Sequence, residues 1–378
     1  AEHPQSGRWD VLFAFPEAAL WSEHGALHAS EPALAAGADF FAALDAWVAR
    51  EPALPRDTLP FCGGWFVYLG YEAAAIVEPS LQLPTAPFAL PDALAVRCPA
   101  AIVCDRTTQR CFAISERGQD QLDALLAAAS VALPVEVRAP AEGAVHVDEE
   151  APARYLDGVR RVLDYLAAGD VFQVNLSRRW TAKIPAALDP AALYAALQRR
   201  NPAPFAGLMR WNDVAVISSS PERLLRIDGE RVDTRPIAGT RARGADEVED
   251  AALQTALRDS LKERAEHVML LDLERNDLGR VCVPGTIVVD ELMTLERYAH
   301  VHHIVSNVSG RLRPGIGPGA ALKAVFPGGT ITGCPKVHVM EIIAQLEGEG
   351  RGPYTGSFGY LSRDGRLDTN ILIRTMVW

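Results

Sequence analysis

Between Asp213 and Thr240 the chain has room for little except strands. VAVISSS, RLLRI and RVDTRPI are three strand-like segments, and the last two are joined by a turn at Asp228-Gly229. Parallel strands need a crossover of roughly a dozen residues or more. No connection here is that long, so the spacing predicts antiparallel pairing. YTGSFGYLS, a turn at Asp364-Gly365 and RLDTNILIRTMVW predict a second hairpin near residue 378. FCGGWFVYLGYE (61–72) reads as a buried strand whose glycines allow close backbone approach.

Helical periodicity is interleaved with these strands. Ala-rich stretches at 32–49 and 119–132 predict helices. Tyr155, Val159, Val162, Leu163 and Leu166 form an apolar stripe ended by Gly169. A long helix is expected over about 247–274, and another after Pro335, with Val337, Met340, Ile343 and Leu346 on one side. The Pro-rich, charged stretch 134–150 reads as a linker between an N-terminal subdomain (1–133) and a C-terminal region (151–378).

The charge balance of 37 basic and 48 acidic residues, net −11, argues against nucleic acid as the default partner. No apolar run is long enough to span a membrane, and the N-terminal residues lack a secretory pattern. The six cysteines contain no C-x-x-C pair and read as reduced thiols of a cytoplasmic protein.

Several stretches bear chemistry. FPGGTITGCPK (326–336) is a glycine-rich loop opening a helix, where N–H groups can seat a carboxylate or phosphate; it lacks the G-K-[ST] ending of a nucleotide-binding P-loop. As structure alone it is a turn joining strand to helix. Glu263 and Glu266 lie one turn apart on a helix face. They are either a solvated acidic face balanced by Lys262 and Arg264, or oxygen ligands for Mg²⁺. In VFQVNLSRRW (171–180), Gln173, Asn175 and Ser177 share one strand face, open to solvent or lining a polar site. His302 and His303 should point to opposite faces of a strand, which argues against zinc but allows one to move protons in a cleft. Arg374, in an otherwise apolar strand, calls for an anionic partner, either a structural carboxylate or a substrate.

Taken together, GDVFQVNLSRR, SSSPERLLR, RPIAGTRARG, KERAEHVMLLDLERNDLGRV, ERYAHVHHIVSNVSG, FPGGTITGCPK and YTGSFGYLSRDGRLDTNILIRT resemble the chorismate-utilising enzymes: anthranilate synthase component I, aminodeoxychorismate synthase component I, and the isochorismate and salicylate synthases. The resemblance runs from about residue 150 onward, with an echo at GGWFVYLGYE. It implies an α+β fold of two large, mostly antiparallel β-sheets packed face to face with helices around the outside. It also implies Mg²⁺ dependence and a small dianionic substrate, chorismate. Carried over by position, Glu263 and Glu266 belong to the metal site. Glu222 is the acid that protonates the hydroxyl leaving carbon 4. Tyr354 and Arg374 grip the enolpyruvyl carboxylate, and Gly239, Thr240 and Thr330 are substrate-contacting loop positions. His303 matches the histidine that helps to remove pyruvate in anthranilate synthase.

Gln173 stands where the isochorismate and salicylate synthases carry a lysine that activates water. An amide cannot serve as that base, so the resemblance implies ammonia as nucleophile, delivered by a glutamine amidotransferase subunit. Ala238, in PIAGT, replaces the lysine of PIKGT that attacks carbon 2 in typical aminodeoxychorismate synthases, so no covalent intermediate can form there. QVNLS, NPAPFAGLM, DTNILIRT and the lack of an LLES motif place the chain nearer a PIAGT subclass of aminodeoxychorismate synthases, working through noncovalent 2-amino-2-deoxyisochorismate. Anthranilate synthase is the alternative. Family members continue past the IRT strand into a Gly-rich segment and a helix expected to complete the metal ligands. A relative that only binds chorismate or the amidotransferase is therefore the alternative of another class.

Overall fold

The computed structural model describes residues 6–131, 146–184 and 188–378. Its largest sheet has eleven strands. The order runs Ile237–Ala242, Val301–Arg311, Arg231–Arg235, Arg223–Asp228, Leu367–Asn370, Ser357–Ser362, Gly64–Leu69, Ala93–Cys98, Ala19–Glu23 and Ala26–Ala29, with Val288–Arg297 also on Val301–Arg311. Every pairing in it is antiparallel. Phe205–Trp211, Val214–Ser220 and Thr375–Val377 make a three-stranded sheet; Trp9–Ala14, Ala100–Asp105 and Arg110–Ser115 make another. With the helices, this is the expected α+β class.

Gly64–Leu69 lies along Ser357–Ser362, so residues on both sides of the 134–150 stretch share one sheet. The glycine there is required: a Cβ on Gly64 would stand 2.1 Å from the Leu361 carbonyl oxygen. Phe41, Leu44, Trp65, Leu225, Leu322, Phe326 and Leu361 meet in the main core. Removing such side chains from water is the main favourable term in folding.

Four expectations need correction. VAVISSS does not pair with RLLRI: it pairs with Phe205–Trp211 and Thr375–Val377, while RLLRI joins the large sheet. Pro221 lacks an N–H to continue a ladder, and the chain changes sheets at Pro221-Glu222. The long helix over 247–274 is two helices, Glu247–Asp259 and Leu261–Gly279. Ser260, extended at ψ 112°, ends the first and caps the second by accepting from the Glu263 N–H at 3.4 Å. Leu163, expected within the stripe of helix Pro152–Ala168, is 57% exposed, and Gly158 and Val162 carry the buried side. Finally, Cys104 and Cys111 are joined in a disulfide. They are not C-x-x-C, but they are direct partners across the hairpin, a proximity that sequence spacing does not display. Cys62, Cys98, Cys282 and Cys334 are free thiols.

The linker expectation falls mainly outside the described residues; its last part, His146–Glu149, pairs with Trp180–Lys183. The Ala-rich helices span Phe40–Arg50 and Gln119–Ser130. After Pro335, helix Lys336–Glu347 buries Val339, Met340, Ile342 and Ile343, a wider face than one stripe because the main core and a cluster around Val171 cover it from two sides. No described helix is long and apolar enough to cross a membrane.

Candidate active site

The change of sheet at Pro221-Glu222 leaves the Glu222 carboxyl buried. It accepts from the Ile237 N–H at 3.1 Å. Burial pushes its pKa up to about 8, against the Ile237 N–H, the Thr330 hydroxyl and the Arg374 charge, while Glu274 adds to the rise. The Thr330 hydroxyl is near enough to act on this carboxyl without completing a hydrogen bond. Glu222 is thus a neutral acid near neutral pH.

Thr240 and His303 are partners across two strands of the large sheet, so both side chains share one face. His303 Nδ1 lies 2.8 Å from Thr240 Oγ1, and its Nε2 lies 2.8 Å from Arg374 Nη2. A guanidinium only donates, so Nε2 is the acceptor and Nδ1 carries the proton given to Thr240. Burial, then the charge of Arg374, lowers the His303 pKa to about 4. His302 faces the other way and meets Asp250 at 2.8 Å, and His300 meets the Arg200 carbonyl. The histidines are dispersed, as their spacing predicts, and among the described residues no group of three or more His, Cys, Asp or Glu is placed to hold a metal.

Arg374 requires another correction. It is an exposed residue at a bend before Thr375–Val377, not a core strand position, and its described partner is a neutral imidazole rather than an anion. Its φ of +52° is left-handed, costly for an arginine and typical of a side chain aimed for function. Its guanidinium needs no carboxylate here because solvent reaches it.

Gln173 donates to Glu266 Oε1 at 2.7 Å, while Gln173 Oε1 is buried without a partner. Glu263 accepts from Arg241 at 3.2 Å, not from Lys262 or Arg264. A Cβ on Gly239 would stand 3.3 Å from Glu263 Oε2, and φ of +86° makes glycine the fitting residue there. Ala238 is buried. Glu263 and Glu266, one turn apart on helix Leu261–Gly279, carry carboxylate oxygens, the donor type a hard cation takes. The lysine of the glycine-rich loop turns inward instead, to Asp277 and to the Pro327 carbonyl at 2.8 Å.

Tyr354 and Arg374 line a cavity of about 1060 Å³, together with Tyr155, Glu347, Arg351 and Trp378. Glu222, Thr240, His303, Gln173 and Glu266 do not line it; Gln173 pairs with Glu266, Thr240 with His303, and Glu222 with the Ile237 N–H. The structure thus assembles three bonded groups: Gln173 with Glu266, Glu222 with the Ile237 N–H, and Thr240–His303–Arg374. Sequence reasoning missed Arg351, which lines the same cavity, is buried and lies against the Tyr71 and Tyr354 rings. Its place three residues before Tyr354, in a Gly- and Pro-rich turn, was the available signal. Glu274 was missed too: burial and then Asp277 push its pKa up to about 7.

The profile of the chorismate binding enzyme family matches residues 2–378. The chain is 45% identical to anthranilate synthase component 1 of Thermus thermophilus over 87% of this chain and 71% of the relative. It is 41% identical to the aminodeoxychorismate synthase of Streptomyces griseus over 88% of this chain and 48% of the relative. Among solved structures, it is similar to anthranilate synthase component I from Streptococcus pneumoniae, with a TM-score of 0.87, 31% identity, and coverage of 100% of this chain and 85% of that one.

Proposed function

The chain belongs to the chorismate binding enzyme family, and from that premise we propose that its cleft aminates chorismate with ammonia to give 4-amino-4-deoxychorismate. The observation that carries amination is Gln173. Its amide sits against Glu266, where a water-using site needs a base, and an amide has no basic lone pair to offer. Ala238 likewise has no nucleophile, so no intermediate is bound covalently to the chain in either of two steps. Ammonia adds at carbon 2 as the hydroxyl leaves carbon 4 as water. A second ammonia then adds at carbon 4 and expels the first, a net exchange of one amine for one water.

Glu222 supplies the proton to the departing hydroxyl, since its neutral form dominates near neutral pH. Arg374 leaves His303 for the enolpyruvyl carboxylate, joined by the Tyr354 hydroxyl, because a charge-assisted bidentate pair is stronger than a bond to a neutral imidazole. That transfer frees the Nε2 lone pair of His303. Gly239 and Thr330 keep the loop backbone close to the ring, and Thr240 fixes the His303 tautomer. Glu263 and Glu266 would hold Mg²⁺, which when bound neutralises the ring carboxylate. Ammonia would come from a glutamine amidotransferase subunit, as the word component in the relatives' names suggests.

NPAPFAGLM supports the aminodeoxychorismate branch over a tryptophan-regulated one. The place of a side chain at Gly207 is filled by the Phe358 ring, 2.6 Å from a Cβ there. A second reading, anthranilate, is favoured by His303 beside Thr240 and by relatives such as that of Thermus thermophilus. Incubation with chorismate, Mg²⁺ and an ammonium salt, followed by chromatographic product identification, separates them. Aminodeoxychorismate, convertible to p-aminobenzoate by an added lyase, is expected; anthranilate as main product overturns the preferred branch.

A further inference from the structure

Arg351 is the most connected side chain beside the site and has no part in the steps above. It is 6% exposed. Its Nε and Nη2 bind both carboxylate oxygens of Glu347, at 2.8 and 2.6 Å. Nη2 also donates to the Asn175 carbonyl at 2.6 Å, and Nη1 to the Ile331 carbonyl and the Thr355 hydroxyl at 3.4 and 3.3 Å. The guanidinium lies over the Tyr71 ring at 4.9 Å and the Tyr354 ring at 5.5 Å. Glu347 in turn accepts from the Ser177 N–H and hydroxyl at 2.7 and 2.8 Å.

Three of these partners adjoin residues of the site. Asn175 is two residues from Gln173 and donates to the Thr330 carbonyl at 3.0 Å; Ile331 follows Thr330; Thr355 follows Tyr354. We infer that Arg351, fixed by Glu347, is a positioning residue that locks the Gln173 strand, the Thr330 loop and Tyr354 into one preformed seat for the substrate. A planar fork with five donors and a stacking face does this; a lysine ammonium offers neither the fork nor the plane. The inference rests on the reading that the seat takes chorismate.

Arg363 is the internal control. It is also a nearly buried arginine pinned by a glutamate, Glu116, and by the Pro52 carbonyl, but it has no contact with the site. The test compares the intact chain with Arg351→Lys, Glu347→Gln and Arg363→Lys, measuring the chorismate Kd with Mg²⁺ by titration calorimetry and the Tm of each. All three should lower Tm. Arg351→Lys and Glu347→Gln should weaken chorismate binding on the order of tenfold or more, because small misplacement of a bound group is costly; Arg363→Lys should leave Kd within about twofold. Adding Arg351→Lys to Tyr354→Phe should cost less than the sum of the two, since both act through one ring. If the folded Arg351→Lys and Glu347→Gln variants bind as the parent does, the positioning role is wrong and the function stands. Failure of the parent itself to bind chorismate overturns the functional reading, and the positioning role with it.

Discussion

Around the strand pair Arg223–Asp228 and Arg231–Arg235, two regions treat buried charge in opposite ways. In one, Arg223 binds both oxygens of Asp368, at 2.8 and 2.9 Å, and Arg226 and Arg231 reach Asp233 at 2.8 and 3.6 Å. Arg235 meets Glu291 and Glu296 there. Burial works against the Arg223 charge, and the carboxylates more than compensate. Glu222 at the change of sheet and Glu274 on helix Leu261–Gly279 are as buried, but among the described residues no cation is bound to their carboxyls, and burial raises both pKa values. Matching every charge yields structure; leaving a carboxyl short of a partner yields an acid that holds its proton at neutral pH. Both regions share strands, so their roles come from partners and not from depth.

The sharpest way to break this contrast is to change one group from each region. Glu222→Gln should reduce amination of chorismate by about 100-fold or more while the chain stays folded, the usual size of a lost general acid. Asp233→Asn should do the reverse: turnover per folded molecule is retained, but stability falls by about 1–3 kcal/mol because Arg226, itself partly exposed, loses a charged hydrogen-bond partner. Product assays on both variants, with denaturant melts, check the pair; equal loss of activity in both would erase the distinction.

A smaller effect lies in pH. Glu222 has a folded pKa raised above its ordinary 4.5 to about 8. Between those values the unfolded chain releases this proton and the folded chain keeps it, so stability falls as pH rises through that window. Glu222→Gln should therefore be more stable than the parent at pH 8, by on the order of a few kcal/mol, with the gap closing at pH 4. His303, lowered to about 4, works in the opposite sense: stability is lost as pH falls from about 6.5 toward 4. Melts of Glu222→Gln and His303→Gln across pH 4–8 check both slopes. The smallest change is Ala238→Lys, which should place an amine beside chorismate and give a covalent adduct by intact mass. Its absence would count against the assigned loop geometry.

The hairpin at Asp364-Gly365, the buried strand at 61–72 and the facing of His302 and His303 were legible because each follows from period-2 alternation or local turn chemistry. Gln173, Glu263, Glu266, His303 and Arg374 stood out by residue chemistry, whereas Glu222, Thr240, Thr330 and Tyr354 were picked out only through the resemblance of whole motifs. Long-range consequences were not. Pro221 marks a break in the ladder, but nothing local says that VAVISSS and RLLRI join different sheets there. Nor does spacing show that Ser260 divides the long helix, that Arg374 sits at a left-handed bend, or that Cys104 faces Cys111. Arg351 escaped because its partners, Asn175 and Tyr71 among them, lie far from it in sequence.

The account turns on one carboxyl. Labelling glutamate with ¹³C, assigning Glu222 by its loss in Glu222→Gln, and titrating the folded chain by NMR measures its proton directly. The structure predicts a midpoint near 8, with the acid still protonated at pH 7. A midpoint near the ordinary 4.5 would leave Glu222 an anion under working conditions, and it could not be the proton donor assigned to it.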